Sequence, residues 1–396
     1  MSAGASPAPV PEMPFSQAEF AGRRDRVVEL FKQRAIDVAV VSSPANFYWL
    51  TGLSANITTH VFCLVLRADA RGLWIGRRME MSNVDALSSW CWANEAIPID
   101  DSEDAHLKLG EALQRIAGSG GRVGMEFAAP QVSAAGMAKL KAAAPQVRFE
   151  DTSGLVESLR AVKSPAELAY LREAGAITGG AMTAALRGLR EGASDSDLAA
   201  SLLGEAIRRG SEPMAEGPYV SAGPRSFRAH SSWGSRTIRS NEVINTELAA
   251  ARARYHTPVF RISVLGKPSD ELQRLHDASQ AGLLAGLKGI GPGLTSAEAD
   301  AIVREPIVRA GFGGCFTVRA AYGIGIGAAP GWGENSVVNI RPGDQRVLQP
   351  GMCFHIVPAL YQAAVGAVCC SMPIHITAGG VERLTAIEPE LFVLDA

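Results

Sequence analysis

The stretch that most constrains this chain is Glu242–Pro268, EVINTELAAARARYHTPVFRISVLGKP. β-Branched residues alternate around Glu247, a turn of small residues and arginine follows, and Tyr255–Leu265 is again strand-like. The stretch therefore reads as a β-hairpin or close strand pair. At its centre Glu247 stands between Thr246 and Leu248. A carboxylate inside a strand core is costly unless it is paired or functional. Four other residues, His230, Tyr322, Trp332 and His355, are expected to converge on it.

The rest of the chain supplies a large core around that stretch. Its 396 residues suit two domains, or three at most. Hydrophobic residues make up 47% and charged residues 20%, the balance of a soluble globular enzyme. A net charge of −2 gives no electrostatic basis for nucleic-acid or anionic-membrane partners. The apolar runs are too short to span a bilayer. Residues 1–14 are rich in Ala, Pro and Ser and lack both a basic and an apolar segment, so a disordered tail is expected, not a signal peptide. The six cysteines (63, 91, 315, 353, 369, 370) show no CxxC spacing, which suits free thiols in a reducing cytoplasm.

In chain order, Phe15–Ala35 has helical spacing with Ser16 as N-cap, and Asp37–Ser42 is a short buried strand. Pro44 opens a helical turn that leaves at Gly52, and His60–Leu66 and Gly72–Ile75 are strands. Helices at Asp104–Ala117 and Gln131–Ala144 then alternate with strands at Arg122–Glu126 and Val147–Asp151, as in an α/β domain with a mixed sheet. Near residue 160 the pattern changes. Ser164-Pro165-Ala166-Glu167 is a capping box with Pro at the first helical position, opening a helix to about Leu189. A helix at Ser194–Arg209 follows, then strands at Tyr219–Ser221, Val243–Ala250 and Tyr255–Leu265, and amphipathic helices at Ser269–Leu287 and Ser296–Ala310.

Four segments now carry a resemblance: LRAVKSPAELAYLREAG, the hairpin with YHTPVFR, the AYGIGIG run, and LQPGMCFHIVPALY. Together they resemble the pita-bread fold shared by methionine aminopeptidase, aminopeptidase P, prolidase and creatinase. Within it, TELAAARARYHTPVFRISVLGKP, PGWGE (330–334) and RPGDQRVLQPGMCFH (341–355) are similar to the corresponding runs of ectoine hydrolases. The resemblance implies an α+β chain: a creatinase-type α/β N-terminal domain over residues 15–160 and a pita-bread catalytic domain over 161–396.

The metallopeptidases of this fold bind two divalent ions through two Asp, one His and two Glu. Carried over position by position, the first Asp falls on Glu247 and the second, eleven residues on, falls on Pro258. The His falls on Tyr322, the first Glu on Val357, and the second on Ser371 or Met372. At most one good metal-binding carboxylate survives, so the resemblance implies the metal-independent branch, with no cofactor. Hydrolysis of a C–N bond then needs its nucleophile, proton shuttle and charge stabilisation from side chains. His230, in FRAHSSW, matches the creatinase proton shuttle. Glu247 is placed to activate water, orient His230 or attack directly. Tyr322, on a Gly-rich loop, would donate to a developing oxyanion, and His355 would be a second donor or a substrate anchor. Trp332 and Glu334 would hold a cationic ligand by ring face and charge. Met372, where ectoine hydrolases carry Glu, implies a less cationic, more apolar substrate. By analogy with creatinase, His60 and Phe62 would reach the partner subunit's site across a homodimer.

Each residue also has a plainer reading. A lone strand histidine is usually structural, Tyr322 can fill space left by the metal ligand, and PGWGE is a serviceable turn. His256 and Tyr255 read as core or wall residues, and Arg225, Arg228 and Arg261 as ion-pair partners. The expected activity is metal-independent opening of a small cyclic amidine or amide. The alternatives are creatinase-like cleavage of an acyclic guanidino compound, a catalytically silent binding protein and a metallopeptidase.

Overall fold

The computed structural model describes residues 13–54 and 60–395. The chain divides into two compact units, Met1–Arg160 and Ala161–Ala396. Most of the expected tail, residues 1–14, and most of the segment before Phe62 lie outside the described residues.

The first unit is a six-stranded mixed sheet. Its strands are β1 (Val38–Val41), β2 (Phe62–Arg67), β3 (Gly72–Arg77), β4 (Ala93–Ile99), β5 (Arg122–Met125) and β6 (Arg148–Asp151), in the order β4-β3-β2-β1-β5-β6. The sheet core is Val38, Val40, Val65, Ile75 and Val123, packed against Leu109, Leu113 and Leu140 from two helices. Burying each such side chain stabilises the unit by about 1.5–3 kcal/mol. The helix Gln17–Gln33 starts where Ser16 accepts from the Glu19 amide, and Pro44–Thr51 ends on Gly52 at φ 75°. Strand β4 has no counterpart among the sequence expectations. It is the sheet edge, where Glu95 and Pro98 are tolerated because one side needs no hydrogen-bond partner.

The second unit holds β7 (Tyr219–Ala222), β8 (Ile244–Arg252), β9 (Tyr255–Leu265), β10 (Ala321–Ala328), β11 (Gly331–Gly333), β12 (Asn339–Ile340), β13 (Cys353–Ile356), β14 (Leu360–Gln362), β15 (Gly366–Val368), β16 (Met372–Thr377), β17 (Gly380–Arg383) and β18 (Phe392–Leu394). The main sheet runs β17-β16-β13-β10-β9-β8-β7. The organising stretch is the hairpin β8–β9, in register from Ile244 opposite Ser263 to Arg252 opposite Tyr255. Ala253 and Arg254 close it with φ of 44° and 62°, the left-handed pair whose twist suits a two-residue hairpin.

Period-two alternation then sorts the hairpin. Ile244, Leu248 and Ala250 face one core, shared with Met182 and Leu186 of helix Pro165–Gly188 and Leu202 of helix Asp195–Arg208. Asn245 and Glu247 face the other way, into a cavity. A second core joins Phe354, Ile356 and Ile374 to Leu275, Leu283 and Val303 of helices Asp270–Gly289 and Ser296–Arg309. The expected capping box is present, with Glu167 accepting from the Ser164 amide, and Asp197 and Glu298 likewise accept from the amides of their N-caps Ser194 and Thr295.

The AYGIGIG run, expected to be a loop, is strand β10. Glycine carries no strand signal, but here it permits close approach. A Cβ on Gly325 would lie 2.6 Å from the Glu334 carboxyl, and one on Gly327 would lie 2.4 Å from the His256 ring.

Candidate active site

The exposed-face residues of β8 line a cavity of about 730 Å³ within the second unit, with Glu216, Tyr219, His230, Glu247, Tyr322 and Trp332 on its walls. A larger groove, about 950 Å³, runs along Pro165–Gly188 and holds none of the candidate residues. Its Arg172 and Arg383 are ion-paired with Glu382 and Glu388.

Glu247 sits at the centre of β8, opposite Tyr219 on β7 and Phe260 on β9. Its side chain is only 12% exposed. Burial, reinforced by the charge of Glu216, pushes its carboxyl up to about 8. The hydroxyl of Tyr219 donates to Glu216, and the Tyr219 ring meets both Trp332 and His230 with centroids 5.4 Å apart. His230 is exposed on the cavity wall and has φ 53°, a left-handed conformation that costs energy unless the surroundings impose it.

Behind Glu247 runs a chain of buried polar groups. The Trp332 indole N–H donates to the Tyr322 hydroxyl at 3.0 Å, which lies 2.9 Å from His355 Nδ1. His355 Nε2 lies 2.6 Å from the Ser371 hydroxyl, whose oxygen also accepts from the Phe260 amide at 2.8 Å. Burial holds His355 down at about 3, so its ring is neutral. Burial, and then the charge of Glu247, keeps Tyr322 well above its ordinary value and therefore protonated.

A neutral ring allows two arrangements of the protons. Either Tyr322 donates to Nδ1 and Nε2–H donates to Ser371, or Ser371 donates to Nε2 and Nδ1–H donates to Tyr322. The second frees the Tyr322 O–H, while two N–H donors, from Trp332 and His355, polarise its oxygen. Glu247 Oε1 is 4.0 Å from His355 Nδ1, beyond hydrogen-bond reach.

The structure thus brings Glu247, Tyr322, Trp332 and His230 to one cavity and changes the place of four other candidates. His355 is fully buried and lies behind the wall, so it supports Tyr322 instead of meeting ligand. Glu334 is not on the wall: β11 ends before it, and its carboxylate turns under β10 to pair with Lys163 Nζ at 2.8 Å and accept the Ile326 amide at 3.1 Å. Met372 packs wholly in the core, and its neighbour Ser371 supplies the polar group instead, because adjacent residues near a strand face opposite ways. Phe62 is packed in the first unit's own core, with ring centroids 5.6 Å from Phe47 and 5.2 Å from Trp74. His60 is exposed on that unit. Sequence reasoning missed Glu216, Tyr219 and Arg319, and it left Ser371 as one of two positions for the lost Glu. The strand register beside Glu247 was the available signal for Tyr219, whereas Glu216 and Arg319 lie in loops with no periodicity to place them.

The donor set does not fit a pair of divalent ions. Of the positions that the fold's metallopeptidases use, Pro258 and Val357 offer no ligand atom, and Tyr322 offers a protonated phenol. Among the described residues, no group of three or more His, Cys, Asp or Glu side chains is placed to share a metal ion.

Residues 169–381 match the description Metallopeptidase family M24, and residues 23–162 match the Creatinase/Prolidase N-terminal domain. The chain is 31% identical to an ectoine hydrolase of Halomonas elongata, over 96% of this chain and 98% of that protein. It is 24% identical to an Xaa-Pro dipeptidase of Lactobacillus delbrueckii subsp. lactis, over 93% of this chain and 98% of that protein. Its fold superposes on a prolidase from Thermococcus sibiricus with a TM-score of 0.85, at 22% identity, covering 95% of this chain and 99% of that one.

Proposed function

The chain belongs to metallopeptidase family M24, with a creatinase/prolidase N-terminal domain ahead of the catalytic one, and from that premise we propose that it hydrolyses a non-peptide C–N bond without a metal ion. The substrate is a small cyclic amidine or amide such as ectoine or an analogue. The observation that carries this reading is the replacement of a dinuclear donor set by one buried carboxylate, Glu247, next to a supported phenol, Tyr322.

Glu216, Glu247 and the rings of Tyr219 and Trp332 suit a cationic amidinium, held by charge and by aromatic faces. Its charge draws the proton off Glu247, and the resulting carboxylate supplies the nucleophile, through its own oxygen or through a water it deprotonates. Tyr322 O–H stabilises the oxygen that becomes bonded to carbon, and His230 passes a proton to the departing nitrogen. One water is added, one C–N bond breaks, and an amidine leaves as an amide plus an amine. Single-turnover hydrolysis in ¹⁸O-water tests for the covalent route, since label enters Glu247 only when direct attack is followed by water attack at the glutamyl carbon.

The test is incubation of chelator-treated protein with cyclic amidines, lactams and creatine, read by mass spectrometry. A gain of one water on a cyclic compound is the expected result. Turnover of a linear compound alone moves the protein to creatinase-like chemistry, and ligand-induced thermal stabilisation without product marks a binding protein. A second reading, a metal-dependent Xaa-Pro peptidase, is favoured by the dipeptidase relatives. It predicts turnover only after divalent metal is restored.

We also propose a homodimer in which His60 reaches the partner subunit's cavity. Mixed dimers of His60→Ala and His230→Ala chains would then recover about one working site per dimer, and assembled dimers without recovery would refute sharing. The six cysteines are unpaired, in keeping with the reducing cytoplasm proposed for the protein.

A further inference from the structure

Arg319 precedes β10 and lines the same cavity as Glu247, Tyr322 and Trp332. Its Nη2 donates to Asn335 Oδ1 at 2.8 Å, and Asn335 is itself on the cavity wall. Its Nε is buried and has no hydrogen-bond partner among the described residues. The guanidinium carbon stands 5.0 Å from the centroid of the Tyr322 ring, so the cation is seated against the residue at the heart of the site.

Three other arginines of this unit are matched. Arg304 gives its Nε and Nη2 to Asp300, and Arg346 gives its Nε and Nη2 to Asp344. Arg261 spends its donors on the carbonyls of Phe260, Ser371, Ile387 and Glu388. Arg319 differs from these three: it is half-buried, hydrogen-bonded to a neutral amide, and steadied with its Nε–H unmatched. Arg383 also leaves its Nε unmatched, but it is ion-paired with Glu388 and lines the other groove. Desolvation accordingly lowers it from its ordinary value. Arg228 also lines the cavity, but it is exposed and its charge is solvated.

We infer that Arg319 binds a carboxylate of the substrate, so the pocket selects small nitrogen compounds that carry one. The unmatched Nε–H, with Nη2, forms the planar paired-donor edge that a carboxylate accepts in two parallel hydrogen bonds. A phosphate fits less well, because its second charge would face Glu216 and Glu247 across the same cavity. The inference rests on the reading of this cavity as the active site, and it adds the substrate's second functional group.

The test compares ectoine with its primary carboxamide by calorimetry on the full-length protein, its R319K variant and its R319Q variant. The wild type should prefer the carboxylate by on the order of 10- to 100-fold, the worth of hydrogen bonds to a charged group. R319Q should lose that preference and keep its carboxamide affinity, while R319K should retain part of it. Equal loss of both ligands, or no loss of either, overturns the inference. Arginine ¹⁵N spectra provide a readout independent of turnover: the carboxylate should shift one Nε–H signal that is absent from both variants. If ectoine does not bind, creatine and its amide run the same comparison, and a shift with neither carboxylate overturns the inference. Failure of hydrolysis alone bears on the proposed reaction, not on Arg319.

Discussion

Glu247 is a base only when something makes it one. Burial, and then the charge of Glu216, raises its carboxyl from an ordinary 4.5 to about 8, so at neutral pH it is mostly protonated. Binding a cationic amidinium should therefore release close to one proton near pH 7, measurable as a buffer-dependent heat of binding. The stability effect follows from the same shift. The folded carboxyl holds its proton more tightly than the unfolded one, so folding loses stability as pH rises from about 4.5 to about 8. Glu247→Gln should recover on the order of 5 kcal/mol above that range, while losing at least 10²-fold in turnover. Chemical denaturation at two pH values and a rate assay check both. His355 runs the opposite way: its depressed value costs stability as pH falls below about 6.5 toward 3. Tyr322→Phe removes the cavity donor and leaves the Trp332 N–H and His355 Nδ1 without their shared partner. It should lower kcat by about 10²–10³-fold and stability by about 1–3 kcal/mol.

Strand β10 is where the sequence was hardest to read and where the site is most constrained. The hairpin β8–β9 was legible because its alternation and its turn are local. The glycines of β10 were not, because the groups that require them, Glu334 and His256, are distant neighbours brought in by folding. Glu334 was misplaced for the same reason: nothing in PGWGE shows that Lys163, far back in the chain, waits beneath β10. With side chains 1% and 2% exposed, this pair is buried, and removing one partner strands a charge. Lys163→Met should destabilise by about 3–5 kcal/mol, and Lys163→Met with Glu334→Gln should recover part of that loss. Because Glu334 also accepts the Ile326 amide, the single variants should loosen β10 and the adjoining β11, which carries Trp332. Hydrogen exchange at Ile326 is the measurement.

Across the molecule, the fold class was legible in long ordered runs of sequence, and the proposed reaction class rests on what those runs lack. Pro258 and Val357 cannot be made into ligands by any rearrangement of side chains. If the site works as proposed, chelation should leave both turnover and thermal midpoint unchanged, whereas a metal-dependent enzyme would lose activity. The less legible parts were edges and backs: β4 in the first unit, and Ser371 and Glu216 around the cavity, none of which sits in an alternating apolar pattern. Trp332 offers a final use of the arrangement. Its indole is tied to Tyr322 through its N–H and stands edge-on to Tyr219, so any ligand entering the cavity changes the surroundings of that one chromophore. The chain has six tryptophans, and subtracting the emission of Trp332→Phe isolates the one at the pocket. The protein thereby carries its own optical indicator of occupancy, able to screen compounds before any product has been identified.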